Sequence, residues 1–311
     1  MQSQDLSRVG VLIPCLNEAL SISVVVDEFR RSLIDARIVV VDNGSVDDTR
    51  ELAKFAGAEL LTEYRRGKGF AVKRGLAAMV DCSCVVLVDG DGTYSARHIN
   101  EMLAALSGGV GMVIGARLAS AEPGAFPPTH AAGNRLFILL VRLLFGVKTT
   151  DLFSGYRVLS RKLLDEIILT SEGFEIETEL TLRTLAHGFP IVEVPTPYSA
   201  RLSGSHSKLR TISDGLRILG EVLAFFRDYR PMLCFGAIGL FLLVVGIVAG
   251  SFPVVEYFES GRVNRLPLAV LAVGLVLLSS VSAVAGLVLS SVARRAREMR
   301  IQIRTLIGKD A

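Results

Sequence analysis

The chain has 311 residues, with 34 Lys or Arg against 31 Asp or Glu, and half of it is hydrophobic while 21% is charged. Its mean hydropathy of +0.48 exceeds that of a soluble domain with about a quarter charged residues, which excludes intrinsic disorder, a collagen-like repeat and a disulfide scaffold. Up to residue 230 there are 26 basic and 27 acidic residues, and beyond it eight basic and four acidic ones, so the front lacks the basic excess of a nucleic-acid binder.

Met1 to Arg8 is polar and predicts no cleavable leader. Val9 to Pro14 reads as a strand, Glu18 to Arg31 as a helix, and Arg37 to Asp42 as a second β-branched strand. Asp47 to Ala56 (helix), Ala58 to Thr62 (strand), Lys68 to Val80 (helix) and Cys84 to Asp89 (strand) repeat the theme. Such alternation predicts an α/β domain whose parallel strands are covered by helices on both faces. Ligands gather at the carboxyl ends of such strands, and Pro14, Asp42 and Asp89 all stand there. Ser95 to Leu106 follows as a helix, Val110 to Ala116 as a strand and Ala119 to Thr129 as a loop. Gly133 to Val147 is an apolar helix too short to span a bilayer, which suits either the core or the membrane interface.

Thr211 to Tyr229 has Ile212, Leu216, Leu219, Leu223 and Phe226 at helical spacing and is read as lying along a membrane. Pro231 to Val255 and Leu266 to Ala293 carry no charge, and each exceeds the ~20 residues that cross hydrocarbon. The expected division is a globular domain over 1–210, an amphipathic helix over 211–230, and two spans over 231–293, about 232–252 and 267–292. A basic tail over 294–311 completes it. Arg227 and Arg230 precede the first span, and Arg294, Arg295, Arg297, Arg300, Arg304 and Lys309 follow the second. The positive-inside rule therefore puts both termini on the cytoplasmic side of a multi-pass protein of the cytoplasmic membrane. Gly246-x-x-x-Gly250 offers a small-residue contact face for association of the spans or of two copies. Cys15, Cys82, Cys84 and Cys234 are expected to be reduced thiols.

Asp89-Gly90-Asp91 carries the most chemistry. Two carboxylates one residue apart in extended chain project to one side and suit Mg²⁺ or Mn²⁺ shared with substrate phosphates; an ordinary Asp-Gly turn is the competing reading. No Walker sequence, dinucleotide fingerprint or nucleophile elbow occurs, and the four histidines are scattered, which weakens ATPase, dehydrogenase and acyl-hydrolase readings. Asp42 and Asp47 also fit helix caps. Glu175, Glu177 and Glu179 alternate like one face of an extended chain, or open a helix.

In order, Val11-Leu12-Ile13-Pro14-Cys15-Leu16-Asn17-Glu18, Val41-Asp42-Asn43-Gly44-Ser45-Val46-Asp47-Asp48-Thr49, Arg66-Gly67-Lys68-Gly69 and Asp89-Gly90-Asp91 resemble the family-2 inverting glycosyltransferases of the GT-A fold. Asp151-Leu152-Phe153-Ser154-Gly155-Tyr156-Arg157 and Arg201-x-x-Gly204-x-x-Ser207-Lys208 narrow the resemblance to the polyprenyl-phosphate glycosyltransferases, relatives of dolichol-phosphate mannose synthase. It covers residues 9 to 210. The resemblance implies a Rossmann-like GT-A domain moving a sugar, with inversion and a metal, from a nucleoside-diphosphate sugar to a polyprenyl phosphate, a uridine donor being favoured over a guanosine one. It implies that Pro14, Asn17, Glu18, Asp42, Lys68 and Glu177 contact the nucleotide sugar and that Asp89 and Asp91 hold the metal. Arg117 and Arg157 become catalytic, and together with Ser154, Arg201, Ser207 and Lys208 they meet the acceptor phosphate. The chain departs from the pattern at Asn43, where the family has a second Asp, and at Thr93-Tyr94, where many relatives carry a glutamine. A processive polysaccharide synthase is disfavoured, because the chain has no Trp for the Gln-x-x-Arg-Trp motif of such enzymes. Transfer to a sugar lipid or a protein, and a non-catalytic membrane scaffold that keeps the fold, compete with the polyprenyl-phosphate reading.

Overall fold

The structure is a computed structural model that describes residues 8–117, 137–143, 150–199 and 211–307. Contacts divide the chain into two units, Met1–Val222 and Leu223–Ala311. The first is built on seven strands: β1 (Val9–Cys15), β2 (Arg37–Asp42), β3 (Glu59–Thr62), β4 (Cys84–Leu87), β5 (Met112–Ala116), β6 (Arg157–Ser160) and β7 (Ile191–Pro195). They lie in the order β3-β2-β1-β4-β6-β5-β7. All neighbours pair in parallel except β6, which runs antiparallel to β4 and β5. Arg157 opens β6 opposite Leu87, the last residue of β4. The strands expected to be parallel, β1 to β4, are so, and the sheet is mostly parallel; β6 enters at the carboxyl edge and runs back, which brings residues 151–156 beside Asp89.

Successive strand residues point to opposite faces, so each strand feeds two cores. Val11, Ile13, Val40, Val86 and Val158 meet α1 (Ile22–Ser32), α2 (Thr49–Phe55) and α4 (Ile99–Ala105) on one face. Leu12, Val39, Val41, Leu87 and Leu159 meet α3 (Lys68–Ala78), α5 (Arg161–Leu164) and α6 (Ile176–Ala186) on the other. In α1 the buried residues Ile22, Val25, Val26 and Phe29 follow the i, i+3, i+4, i+7 rule of an amphipathic helix. Phe29 stands edge-on to Tyr156 at 6.0 Å, and Tyr94 packs on Tyr156 and Tyr198. None of the four cysteines forms a disulfide, and burial pushes the Cys84 thiol up to about 12.

The loop expected over 119–129 lies outside the described residues. Of the helix expected over 133–147, residues 137–143 are described and helical, with Phe137 edge-on to Phe153. In α7 (Thr211–Tyr229) the buried stripe is Ile218, Val222 and Phe225, while Leu216 and Leu223 of the expected apolar stripe stay exposed.

In the second unit, α8 (Pro231–Ser260) and α9 (Leu266–Ile307) are both longer than the spans read from sequence. Both are long and apolar enough to cross a membrane, with mean hydropathies of 2.7 and 2.5 over their most apolar stretches. Leu240, Phe241, Leu277 and Val281 are more than half exposed. The α9 helix runs without a break through Arg294 and Arg295 to Ile307, so the tail up to that residue continues the span. Gly246 and Gly250 face α9: a Cβ on Gly246 would stand 3.0 Å from Val276, and one on Gly250 3.3 Å from Ala272. The small-residue face therefore joins the two helices of one chain, and Ser282 adds a hydrogen bond to the Phe235 carbonyl at 2.8 Å.

Candidate active site

The carboxyl edge of the sheet gathers the segments that follow β1 to β5 and the turn that leads into β6. After β1, Asn17 takes the left-handed conformation (φ 52°) that Asn tolerates better than most residues. Its Oδ1 accepts the Val46 amide at 2.9 Å and its own amide donates to Ser45 Oγ at 2.9 Å. The Glu18 amide donates to Thr49 Oγ1 at 2.8 Å, and the Ala19 amide to Asp47 Oδ2 at 3.1 Å. Asp47 also accepts the Thr49 amide at the start of α2, so it staples the two loops together. Pro14 stays within β1, paired with Val41.

Asp42 closes β2 and is fully buried. It accepts the amides of Gly44 and Ser45 at 3.2 and 3.1 Å and Arg50 Nε at 2.6 Å. Burial alone would raise its pKa, but the bonds from Ser45, Arg50 and Gly44 outweigh it and hold the carboxyl below its usual range. The carboxylate thus faces its own loop. Asn43 is buried too: its Nδ2 donates to the carbonyls of Glu63 and Arg65 at 3.1 and 2.7 Å, and its Oδ1 accepts the Gly67 amide at 2.7 Å. An aspartate could not supply the first two bonds, which explains the amide at this position.

That latch sets the turn before α3. Gly67 has φ 141°, and a Cβ there would lie 2.2 Å from the Glu172 carbonyl; only glycine accepts both conditions. The Gly69 amide donates to the same carbonyl at 2.9 Å. The residue between, Lys68, is 11% exposed and reaches across the edge to pair with Asp89 Oδ1 at 2.5 Å and with Glu177 Oε1. Burial works against its ammonium, but the Asp89 and Glu177 carboxylates more than offset this and raise its pKa.

Asp89 is a quarter exposed and Asp91 is buried, and Ser21 Oγ donates to the carbonyl of Gly90 between them at 2.6 Å. Asp91 Oδ1 accepts both the Thr93 amide at 3.1 Å and Thr93 Oγ1 at 2.6 Å, so Thr93 orients the carboxylate. Tyr94 turns inward, and its hydroxyl accepts the Gly155 amide at 2.9 Å. Both residues at the departure from the family pattern thus brace the acidic pair. Two hard oxygen donors at a strand end suit a divalent cation that completes its shell with water and phosphate. Among the described residues no group of three or more His, Cys, Asp and Glu could hold a metal, so the donor set fits a cation shared with substrate rather than a closed protein cage.

Arg117 follows β5 and pairs bidentately with Asp151, Nε to Oδ2 and Nη2 to Oδ1 both at 2.8 Å, above the Tyr198 ring. Ser154 is buried and donates to the Gly115 carbonyl at 2.6 Å. Arg157 is fully buried, with Nε on the Ser154 carbonyl, Nη2 on the Leu152 carbonyl and Nη1 on Thr181 Oγ1, all at 2.8 Å. Burial lowers its pKa to about 10, which still leaves a cation at neutral pH. It lies beneath the 151–156 turn, so direct contact with donor or acceptor is not what this geometry offers. Arg201, Ser207 and Lys208 lie outside the described residues.

The structure therefore brings Lys68, Asp89 and Glu177 into contact, sets Asp91 beside Asp89 in sequence on the same strand end, and holds Asn17, Glu18 and Asp42 in the loops alongside. Asp151 and Glu179 were not anticipated. Asp151 opens the motif that supplied Ser154 and Arg157, and a buried acid before an arginine-bearing strand was its available signal. Glu179 accepts the Thr170 and Ser171 amides at 2.8–3.0 Å and Arg183 Nε at 2.6 Å, anchoring the loop that backs Gly67 and Gly69.

Among known proteins, the chain is 35% identical over 249 residues to glycosyltransferase AglJ of Haloferax volcanii, covering 80% of this chain and 82% of that one. It is 31% identical over 233 residues to a dolichyl-phosphate hexose transferase of the same organism, covering 75% of this chain and all of the relative. A polyprenol monophosphomannose synthase of Mycolicibacterium smegmatis is 28% identical over 219 residues, 63% of this chain and 79% of that one. Among solved structures, glucosyl-3-phosphoglycerate synthase from Mycobacterium tuberculosis, in complex with Mn²⁺, UDP-glucose and phosphoglyceric acid, superposes with a TM-score of 0.56 at 23% identity. That match covers 71% of this chain and 79% of the other and shows a shared fold. Residues 10–168 match the glycosyl transferase family 2 domain, and the chain belongs to that family.

Proposed function

We propose that the chain transfers a hexose from a nucleoside-diphosphate sugar, preferably a uridine one, to the phosphate of a polyprenol such as undecaprenyl or dolichyl phosphate. The observation that carries this reading is the Asp89/Asp91 pair beside Lys68 at the carboxyl edge, in a chain that continues into two apolar helices. The names of the Haloferax and Mycolicibacterium relatives support the lipid-phosphate acceptor. The Mn²⁺ and UDP-glucose of the structural neighbour support the donor and the metal.

In this mechanism a non-bridging oxygen of the lipid phosphate attacks the anomeric carbon. The bond from that carbon to the diphosphate oxygen breaks on the opposite face, its electron pair leaves with the nucleoside diphosphate, and the anomeric configuration inverts. The attacking phosphate is anionic at neutral pH, so no general base is needed. Asp89 and Asp91 would hold Mg²⁺ or Mn²⁺, which when bound offsets the charge of the departing diphosphate. Lys68 and Arg117, with Arg201 and Lys208, supply positive charge for two anionic substrates, and the loops pinned by Asn17 and Asn43 fix their alignment. Arg157 acts as a positioning residue under the 151–156 turn. The catalytic domain and both termini face the cytoplasm, and the exposed Leu216 and Leu223 of α7 rest against the bilayer.

Detergent-purified protein incubated with undecaprenyl phosphate, Mn²⁺ or Mg²⁺ and a panel of UDP- and GDP-sugars tests this by mass spectrometry of the lipid. A glycosylated lipid from one donor, lost on chelation, is expected. In Asp91→Asn the amide oxygen can still accept both Thr93 bonds, so folding is expected to persist while turnover falls about a hundredfold or more. Full activity in that variant removes the metal from the mechanism. No lipid product from any donor, with nucleotide still binding, removes the acceptor.

A further inference from the structure

Lys68 is placed unlike a side chain waiting for a ligand. Its ammonium stands between Asp89 Oδ1 and Glu177 Oε1, under the Phe174 ring at 5.8 Å. Gly67 and Gly69 press its backbone onto the Ser171–Glu172 strand of chain, so its origin is fixed and only its four-carbon stem can move. Glu177 is 5% exposed on α6, held within the protein, whereas Asp89 is 25% exposed at the open end of β4. The two contacts thus differ in kind: one is sheltered, the other borders the place where a divalent cation would bind. A lysine is a compact point charge on a flexible stem, well suited to leave one carboxylate while keeping the other.

We propose that Lys68 is a built-in stand-in cation: it neutralises Asp89 in the empty enzyme, keeps free divalent metal from settling there, and yields Asp89 when metal arrives with the nucleotide. The inference rests on the metal reading of Asp89 and Asp91 given above. It follows from charge: without Lys68 the quarter-exposed Asp89 would stand uncompensated two residues from Asp91, open to any divalent ion. With it, metal alone gains little, and the diphosphate of the donor is needed both to add oxygen ligands and to give the displaced ammonium an anionic partner. Donor and metal therefore bind as a unit, with Glu177 as the tether that returns Lys68 to Asp89 after release.

The test is Mn²⁺ binding measured by electron paramagnetic resonance on the full-length protein in detergent, with Mn²⁺ alone and with Mn²⁺ plus UDP. Lys68→Met is expected to bind Mn²⁺ alone about tenfold tighter than the parent, or better, since a cation at contact distance has been removed from Asp89. Because that variant leaves Glu177 without its partner, the double variant K68M/E177Q removes both charges together and is expected to show the same gain. Lys68→Arg keeps the charge and is expected to bind Mn²⁺ alone as weakly as the parent. Mn²⁺ binding by K68M and K68M/E177Q no tighter than the parent's, while the parent binds Mn²⁺ with UDP, overturns the stand-in and leaves the metal reading intact. No Mn²⁺ binding by any form, with UDP binding retained, overturns the metal reading and the stand-in with it.

Discussion

Replacing Gly155 by alanine tests how tightly the acidic pair is positioned. An ideal Cβ at residue 155 stands 2.2 Å from Asp89 Oδ2, 2.6 Å from its Cγ and 2.7 Å from Oδ1, where ordinary contact begins at 3.4 Å. The methyl therefore intrudes by about 1 Å, an overpacking that costs about 1–3 kcal/mol in a closed site. The turn cannot withdraw freely, because the Gly155 amide is bonded to the buried Tyr94 hydroxyl and Ser154 is tied to Gly115. Nor can the carboxylate slide towards Lys68, already 2.5 Å from Oδ1. What remains is rotation of the quarter-exposed Asp89 side chain into solvent, so the stability loss is expected near the low end of that range. The functional loss is larger, since a displacement of ~1 Å in an alignment-dependent site costs ~10²-fold in rate. Sugar transfer to polyprenyl phosphate and thermal unfolding, measured on the same detergent preparation, separate the two. Turnover equal to the parent with an unchanged melting temperature would show that Asp89 is not confined as described.

The Asn43 latch predicts that Asn43→Asp loses two donors and sets a carboxylate against two carbonyls, a loss of about 2–4 kcal/mol read by thermal or urea unfolding; unaltered stability would disprove the latch. Arg157→Met strands three acceptors beneath the 151–156 turn and is expected to destabilise by about 3 kcal/mol or more, whereas a purely substrate-binding arginine would lose turnover with stability intact. Glu179 supplies a pH dependence. Burial would raise its pKa, but the bonds from Ser171 and Thr170 hold it below the ordinary 4.5. Its contribution is complete above that value and drains as the pH falls through the depressed folded one. Melting curves of the parent and Glu179→Gln are expected to differ most at neutral pH and to converge below about pH 4.5; a gap that widens in acid refutes the assignment.

The first five strands and α1 to α4 were legible because each is a short β-branched or amphipathic run closed by a polar or glycine-bearing turn, and local pattern suffices for that. β6 was not, since Arg157 to Ser160 is only four residues long, and its direction is set by the point of re-entry at the carboxyl edge. β7 escaped because Ile191, Val192 and Glu193 are only half-buried, without the apolar run of a central strand. The Glu175-x-Glu177-x-Glu179 alternation left two shapes open. The helix chosen sends residues two apart to well-separated directions, which is why Glu177 reaches Lys68 while Glu179 grips residues 170 and 171. Motif spacing located the acids and the lysine, and Thr93 adjoins Asp91 in the chain, whereas Gly155 against Asp89, Asp151 on Arg117 and the Glu172 carbonyl against Gly67 come from distant stretches that no periodicity connects.

The cations of this site share a property that residue type alone conceals. Lys68 is held by Asp89 and Glu177, Arg117 by Asp151, and Arg157 by carbonyls and a hydroxyl. On the proposed reading, a diphosphate arriving at this edge would meet positive charge that is already committed, so recognition by Lys68 and Arg117 would proceed by exchange of partners rather than by simple attraction. Exchange conserves much of the local charge, and its free energy depends on how well the newcomer's oxygens replace the carboxylate's. A compact divalent cation on the acids released by that exchange closes the balance. On this argument metal and nucleotide support one another's binding, while Lys68 competes with metal for Asp89, so that removing the lysine tightens the hold on metal alone and loosens its dependence on the nucleotide.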